Sequence, residues 1–240
     1  MPFTISHAVL SIPLRRTALP ASAVAVGAMT PDLRLFVPFA PLYARTHDLA
    51  WLPLTTAVAG LVWLVWLLVV APAARDLSPA PLAARYPGPR PRTASLPVRA
   101  ALTVAALALG VLTHVVWDAF THAGRWGVRA LPLLAGRVAG VPLHSLAQDI
   151  SGLVGLAVIA VWFALLPRRE LDTAARLATR PLRLATAIGV AGATALGIGF
   201  GLTQGGPIWR IAFEAATTTL VGVAVVILLG CVAWRVSRER

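Results

Sequence analysis

Long apolar segments restrict this chain more than any other feature of its sequence. Five of them approach or exceed the roughly 20 residues that a helix needs to cross a bilayer. They are Leu52–Val70, Val98–Thr121, Leu146–Leu166, Leu184–Leu202 and Ile211–Val232. Of the 240 residues, 58% are hydrophobic, and the mean hydropathy is +0.79. The sequence therefore predicts an all-α, polytopic transmembrane helical bundle that forms one integral membrane domain over residues 1–240.

The N-terminal region, residues 1–51, carries two shorter apolar segments, Phe3–Leu14 and Ala18–Met29. Each is nearer ~12 than ~20 residues long, which suits re-entrant or interfacial helices better than independent crossings. No cleavable signal peptide is expected, because the pair Arg15–Arg16 follows an apolar stretch instead of preceding one.

Residues 73–97 form a Pro/Arg-rich stretch that predicts an irregular loop, with seven prolines between Pro72 and Pro97. The regions 73–99, 167–183 and the tail after Val232 together carry thirteen arginines, against eight on the other side. Because arginine-rich loops stay in the cytoplasm, the sequence predicts a cytoplasmic 73–97 loop and a cytoplasmic C-terminus. We expect a bacterial inner-membrane protein.

The formal net charge of +12 raises the question of nucleic-acid binding. All 21 basic residues are arginine, and they lie mainly between the apolar segments. Arginines in such loops orient helices and contact anionic headgroups, so membrane lipids are the expected partners and nucleic acid is not. The one cysteine, Cys231, rules out an internal disulfide and any metal site built from several cysteines.

The second apolar segment contains ionisable residues at regular spacing in "GVLTHVVWDAFTHAG", where His114, Asp118 and His122 recur every fourth residue. On a helix, each step of four advances ~40°, so the three side chains form one stripe ~12 Å long. Charged groups at membrane depth are costly and face a partner, a metal or water. Two imidazoles and a carboxylate in this arrangement suit zinc, manganese or iron, and no organic cofactor is indicated.

The other histidines are His7, His47 and His144, and the predicted topology puts all five near the same side of the membrane. One helix rarely completes a metal site, so further ligands are expected from His7, Asp32, His47 or His144. The alternative is that these groups form a buried hydrogen-bond network that fixes helix packing.

Three motifs carry a resemblance to a known family: "PFTISHA" near the N-terminus, "GAMTPDL" at Gly27–Leu33 and "THVVWDAFTH" at Thr113–His122. Together they resemble the bacterial membrane family called domain of unknown function 4184, most clearly over residues 1–165. That family is similar in pattern to predicted membrane-bound metal-dependent hydrolases. The resemblance implies a metal site of His7, Asp32, His114, Asp118 and His122, and it also extends to His47 and His144.

Three functions remain open from the sequence. The first is a metal-dependent hydrolase that acts on a lipid or lipid-linked substrate at the outer leaflet, with Asp32 and His144 in general acid/base roles. The second is a non-catalytic membrane scaffold with a buried His/Asp network. The third is a small transporter, which the apolar middles of the last two segments disfavour.

Overall fold

The computed structural model describes residues 4–86 and 94–239. Part of the predicted loop, residues 87–93, lies outside the described residues. The helices, numbered in chain order, are α1 Thr4–Leu14, α2 Ala21–Met29, α3 Tyr43–Thr46, α4 Leu49–Leu77, α5 Ala80–Ala83, α6 Leu96–Thr121, α7 Trp126–Ala130, α8 Leu143–Ala164, α9 Thr173–Ala178, α10 Arg180–Thr203 and α11 Ile208–Arg238. Short 3₁₀ turns cover Thr30–Leu35 and Pro132–Ala135, and strands β1 Arg137–Val138 and β2 Val141–Pro142 form a small hairpin.

Five helices are long and apolar enough to cross a membrane: α4, α6, α8, α10 and α11. They contain most of each predicted span, so the all-α class and the five-span architecture are confirmed. The hairpin between α7 and α8 was not predicted, and it contributes only two residues per strand.

Helix α4 continues beyond its predicted end at Val70, through the first turn of the stretch expected to be an irregular loop. A proline inside a helix lacks an N–H and clashes with the carbonyl four residues earlier. In α4 that proline is Pro72, and a π-helical turn over Trp66–Val70 precedes it, which is one way a helix absorbs such a clash. The carbonyl of Leu68 accepts a hydrogen bond from Arg235 Nη1 at 3.0 Å instead.

By contact clustering the described residues form two compact units, which we call the N-terminal unit (residues 4–63 and 94–162) and the C-terminal unit (residues 64–86 and 163–239). The single membrane domain stays a prediction. In the C-terminal unit, α10 and α11 are antiparallel neighbours that meet through small residues. The backbone of Gly197 lies against Thr219, and that of Gly201 lies against Ala215.

In the N-terminal unit, α2 packs against the middle of α6 with the two backbones in direct contact. A Cβ atom added to Gly110 would lie 2.7 Å from the backbone nitrogen of Ala28 and closer still to the carbonyl oxygen of Val24. Ala23, Val24, Leu107 and Val111 fill the interface around this contact. The close approach brings the C-terminal end of α2 beside the polar half of α6.

Candidate metal centre

Four polar side chains from three parts of the chain converge next to the contact between α2 and α6. His114 and Asp118 lie one turn apart on α6, so they share one face of the helix. Asp32 comes from the 3₁₀ turn that follows α2, and His47 follows α3. The four form a buried group whose ligand atoms all lie within 4.8 Å of one another.

Five of the six distances between the four ligand atoms of this group are similar to one another. His47 Nε2 and His114 Nε2 are 3.1 Å apart. Each lies 3.4 Å from Asp118 Oδ2, and their distances to Asp32 Oδ1 are 3.4 and 3.6 Å. A regular tetrahedron with edges of ~3.4 Å has its centre ~2.1 Å from each corner, which is the length of Zn–N and Zn–O bonds.

Hydrogen bonds outside the group fix the orientation of both imidazoles. His114 Nδ1 lies 2.7 Å from the carbonyl oxygen of Ala28, and His47 Nδ1 lies 2.9 Å from that of Tyr43. A carbonyl only accepts, so each Nδ1 carries a proton and each ring turns its Nε2 toward the centre. Backbone carbonyls hold metal-binding histidines in this way.

When both rings are neutral, the two facing Nε2 atoms meet without a hydrogen atom between them. At 3.1 Å, two acceptors repel each other unless a proton or a metal ion lies between or beside them. The carboxylates of Asp32 and Asp118 add negative charge at the same point. A divalent cation satisfies all four groups together, so the donor set fits a metal ion.

The group is deeply buried, with 0% of the His114 side chain, 1% of His47, 5% of Asp118 and 9% of Asp32 exposed. Ionised groups at such depth require partners. Burial opposes protonation of His47, but contacts with the carboxylates of Asp118 and Asp32 outweigh it and raise the pKa of the imidazole.

The carboxylate of Asp32 is held from two sides. Its Oδ1 faces the imidazoles, while Thr4 Oγ1 donates a hydrogen bond of 2.6 Å to its Oδ2. Burial alone would raise the pKa of Asp32, but the hydrogen bond with His47, the charge of His114 and the hydroxyl of Thr4 outweigh burial and lower that pKa. Asp32 is therefore oriented and ionised as a metal ligand requires.

Two of the histidines predicted as ligands, His7 and His122, flank the group on either side of Asp118. His7 Nε2 lies 3.5 Å from Asp118 Oδ1, and its ring stacks on that of His114 with centroids 3.9 Å apart. His122 Nδ1 lies 3.5 Å from Asp118 Oδ2, and its Nε2 accepts a hydrogen bond of 3.0 Å from the amide of Gln148. Their assignment as ligands stays a prediction.

His144, predicted as an acid/base residue, lies on α8, where its Nδ1 is 3.2 Å from Ser145 Oγ. It is not a member of the four-residue group among the described residues, and its catalytic role stays a prediction. Sequence reasoning missed the supporting atoms at Ala28, Tyr43 and Gln148. The first two act through main-chain carbonyls, which leave no side-chain signal in a sequence.

The model of the family described as domain of unknown function (DUF4184) matches residues 1–236, so the similarity extends well beyond the first 165 residues. Comparison with the curated proteins gives no match, and comparison with the solved structures gives none either.

Proposed function

This chain belongs to the domain of unknown function 4184 family, and we propose that it is a membrane-bound, metal-dependent hydrolase. In this proposal Asp32, His47, His114 and Asp118 hold one divalent ion, and the substrate is a lipid or lipid-linked ester or phosphoester. The observation that carries the proposal is the 3.1 Å approach of two Nε2 atoms whose Nδ1 atoms both donate to backbone carbonyls.

Zinc is the metal that the geometry favours among zinc, manganese and iron. Zinc accepts mixed nitrogen and oxygen ligands in tetrahedral sites with bonds of ~2.0–2.2 Å, and the spacing of the four groups fits those values. Sites for manganese are richer in oxygen and commonly octahedral, which would need corners of the group closer to ~3.0 Å apart.

A bound zinc ion would lower the pKa of a water molecule toward neutrality and polarise the ester. In hydrolysis the water oxygen bonds to the carbonyl carbon or the phosphorus, the bond to the leaving oxygen breaks, and a water proton ends on that oxygen. Because Asp32 faces the metal, the proton passes through His7 or His122, which adjoin Asp118. Burial lowers the pKa of His122, so its imidazole is neutral and able to accept a proton near pH 7.

For location, we propose the bacterial inner membrane with a cytoplasmic C-terminus. Support comes from the thirteen arginines on the predicted cytoplasmic side against eight on the other, and from the five apolar helices. Under this orientation the end of α6 that carries Asp118 faces the outer leaflet, where a lipid substrate would reach it.

A second function, a metal-stabilised scaffold without catalysis, is favoured by one observation. Four protein groups that each supply one ligand would complete a tetrahedral site, as in structural zinc sites, whereas catalytic zinc sites keep one position open. In the hydrolase, one of the four groups would have to leave its position open to water or substrate.

The hydrolase is tested by assaying the zinc-loaded, detergent-purified protein on aryl esters, aryl phosphates and short-chain lipid phosphates. We expect turnover that a chelator abolishes and that Asp118→Asn lowers by more than the ~10–100-fold typical of outer-shell changes. His144→Ala measures the predicted acid/base role of that residue in the same assay. Stoichiometric zinc without any turnover would favour the scaffold and contradict the hydrolase.

Thr4→Val is expected to weaken metal binding by about 10–100-fold, the range for lost outer-shell partners. Valine keeps the shape of threonine but removes the 2.6 Å hydrogen bond that orients Asp32. Competition with a fluorescent chelator measures the affinity. The matched control is Thr103→Val, because Thr103 Oγ1 donates a hydrogen bond to the carbonyl of Arg99 on its own helix. Equal affinities for both variants would show that Thr4 does not support the site.

A further inference from the structure

The loop after α6 places one arginine directly beside the metal group. Arg125 Nη1 donates a hydrogen bond of 3.2 Å to the carbonyl oxygen of His47, and the backbone N–H of Arg125 bonds to the carbonyl of His122. The guanidinium lies 5.8 Å from the centre of the Tyr43 ring, and that ring stacks on His47 with centroids 3.8 Å apart. Arg125 and Tyr43 therefore form one wall next to a metal ligand.

Arg125 makes no ion pair with a carboxylate among residues 4–86 and 94–239. A guanidinium has five N–H donors, and this one donates hydrogen bonds to two uncharged groups, the carbonyl of His47 and the side chain of Tyr43. With a divalent ion, the charges of Asp32 and Asp118 are balanced within the group. The half-buried Arg125 then leaves one positive charge beside the centre that no carboxylate among the described residues pairs with.

Exposure of the side chains indicates where a ligand enters. It is 5% at Asp118, 13% at His7 and 29% at His122, so the group opens toward solvent on the side of His122. The turn that holds Arg125 starts at His122. Arg125 therefore lies on the more exposed side of the group, three residues after His122.

We propose that Arg125, packed against Tyr43, is a phosphate-binding subsite, and that the substrates of the site are phosphate esters. The inference rests on the proposed function and narrows its substrate class. A phosphate group carries several charged oxygens, so one can approach the centre while another accepts from the planar guanidinium. A carboxylic ester is uncharged and gains little from a guanidinium beside it.

The test is isothermal titration calorimetry, in which phenylphosphonate is added to the zinc-loaded protein and its affinity is measured. Arg125→Gln keeps an N–H donor for His47 but removes the charge, and we expect it to weaken binding about 10–100-fold, as for loss of a charge-assisted hydrogen bond. The matched control is Arg129→Gln, four residues later, whose exposed guanidinium donates to the carbonyl of Gly124. We expect it to bind phenylphosphonate as the wild type does.

Two results would overturn the subsite. One is equal phosphonate binding by the Arg125→Gln and Arg129→Gln variants. The other is loss of zinc together with phosphonate binding in Arg125→Gln, which would show that Arg125 holds His47 in place instead of binding ligand. Zinc content is therefore measured on every sample.

Further arms separate this inference from the hydrolase itself. Suppose that the protein cleaves aryl carboxylic esters with zinc, that Arg125→Gln leaves this cleavage unchanged, and that the wild type does not bind phosphonate. The hydrolase would then stand and the subsite would be wrong. If chelator-treated protein still binds phosphonate through Arg125, the subsite exists and does not need the metal. Short-chain phosphatidic acid that displaces phenylphosphonate at lower concentration than a soluble alkyl phosphate would identify a lipid headgroup as the source of the phosphate.

Discussion

His114→Ala is expected to leave the purified protein without bound metal. The substitution removes an Nε2 ligand that contacts His47 and both carboxylates, and it leaves Asp32 and Asp118 buried with one imidazole fewer between them. His114 is fully buried, so its truncation also opens a cavity, which costs about 2–5 kcal/mol for large side chains. Elemental analysis of metal per chain and thermal unfolding in detergent measure the two effects.

Two controls separate metal loss from lost packing. Val111→Ala truncates a fully buried side chain on the same helix but removes none of the four side chains of the group. We therefore expect it to lower stability and to keep the metal. His144→Ala removes an imidazole outside the four-residue group and should keep the metal as well. Wild-type metal content in the His114→Ala protein would show that this imidazole is not a ligand.

Gly110→Ala is expected to disrupt both the fold of the N-terminal unit and its metal site. The new Cβ would lie 2.7 Å from the backbone nitrogen of Ala28, and backbone atoms cannot rotate away as a side chain can. Overpacking of this kind costs about 1–3 kcal/mol and occasionally more. Because the carbonyl of Ala28 orients His114, a displaced α2 also weakens metal binding.

Gly60→Ala is the matched control within the same unit. Its Cβ would meet Leu107 Cδ1 at 3.9 Å, an ordinary contact, so we expect unchanged or slightly raised stability. Urea unfolding in mixed micelles and chelator competition measure both variants. If Gly110→Ala unfolds and binds metal as Gly60→Ala does, the backbone contact between α2 and α6 is not what positions the site.

The sequence predicted the parts of this protein that depend on local pattern. The bilayer length requirement predicted the five long helices, and the spacing of four residues predicted that His114 and Asp118 share a face of α6. The third member of that stripe, His122, lies just beyond the end of the helix at Thr121, with φ −123° and ψ 135°. Its Nδ1 still comes within 3.5 Å of Asp118 Oδ2, as the spacing predicted.

Contacts between residues that are distant in the sequence could not be predicted from local sequence patterns. His47 meets His114 across 67 positions, and nothing in the "RTHD" segment distinguishes a ligand from an exposed loop histidine. The sequence named His47 only as one of several further candidates. The end of α4 was missed because Pro72 reads as a helix breaker, whereas the helix absorbs it through a π-helical turn.

Metal content and X-ray absorption of the wild-type protein, purified without chelators and reconstituted with zinc, show directly whether the four-residue group binds a metal ion. We predict one zinc ion per chain, bound by nitrogen and oxygen atoms at ~2.0–2.1 Å, with scattering from two imidazole rings. Protein that retains no metal after reconstitution would contradict this account. So would a sulfur ligand, because the one cysteine, Cys231, does not belong to the four-residue group. Either result would mean that Asp32, His47, His114 and Asp118 form a buried hydrogen-bond network and do not bind a metal ion.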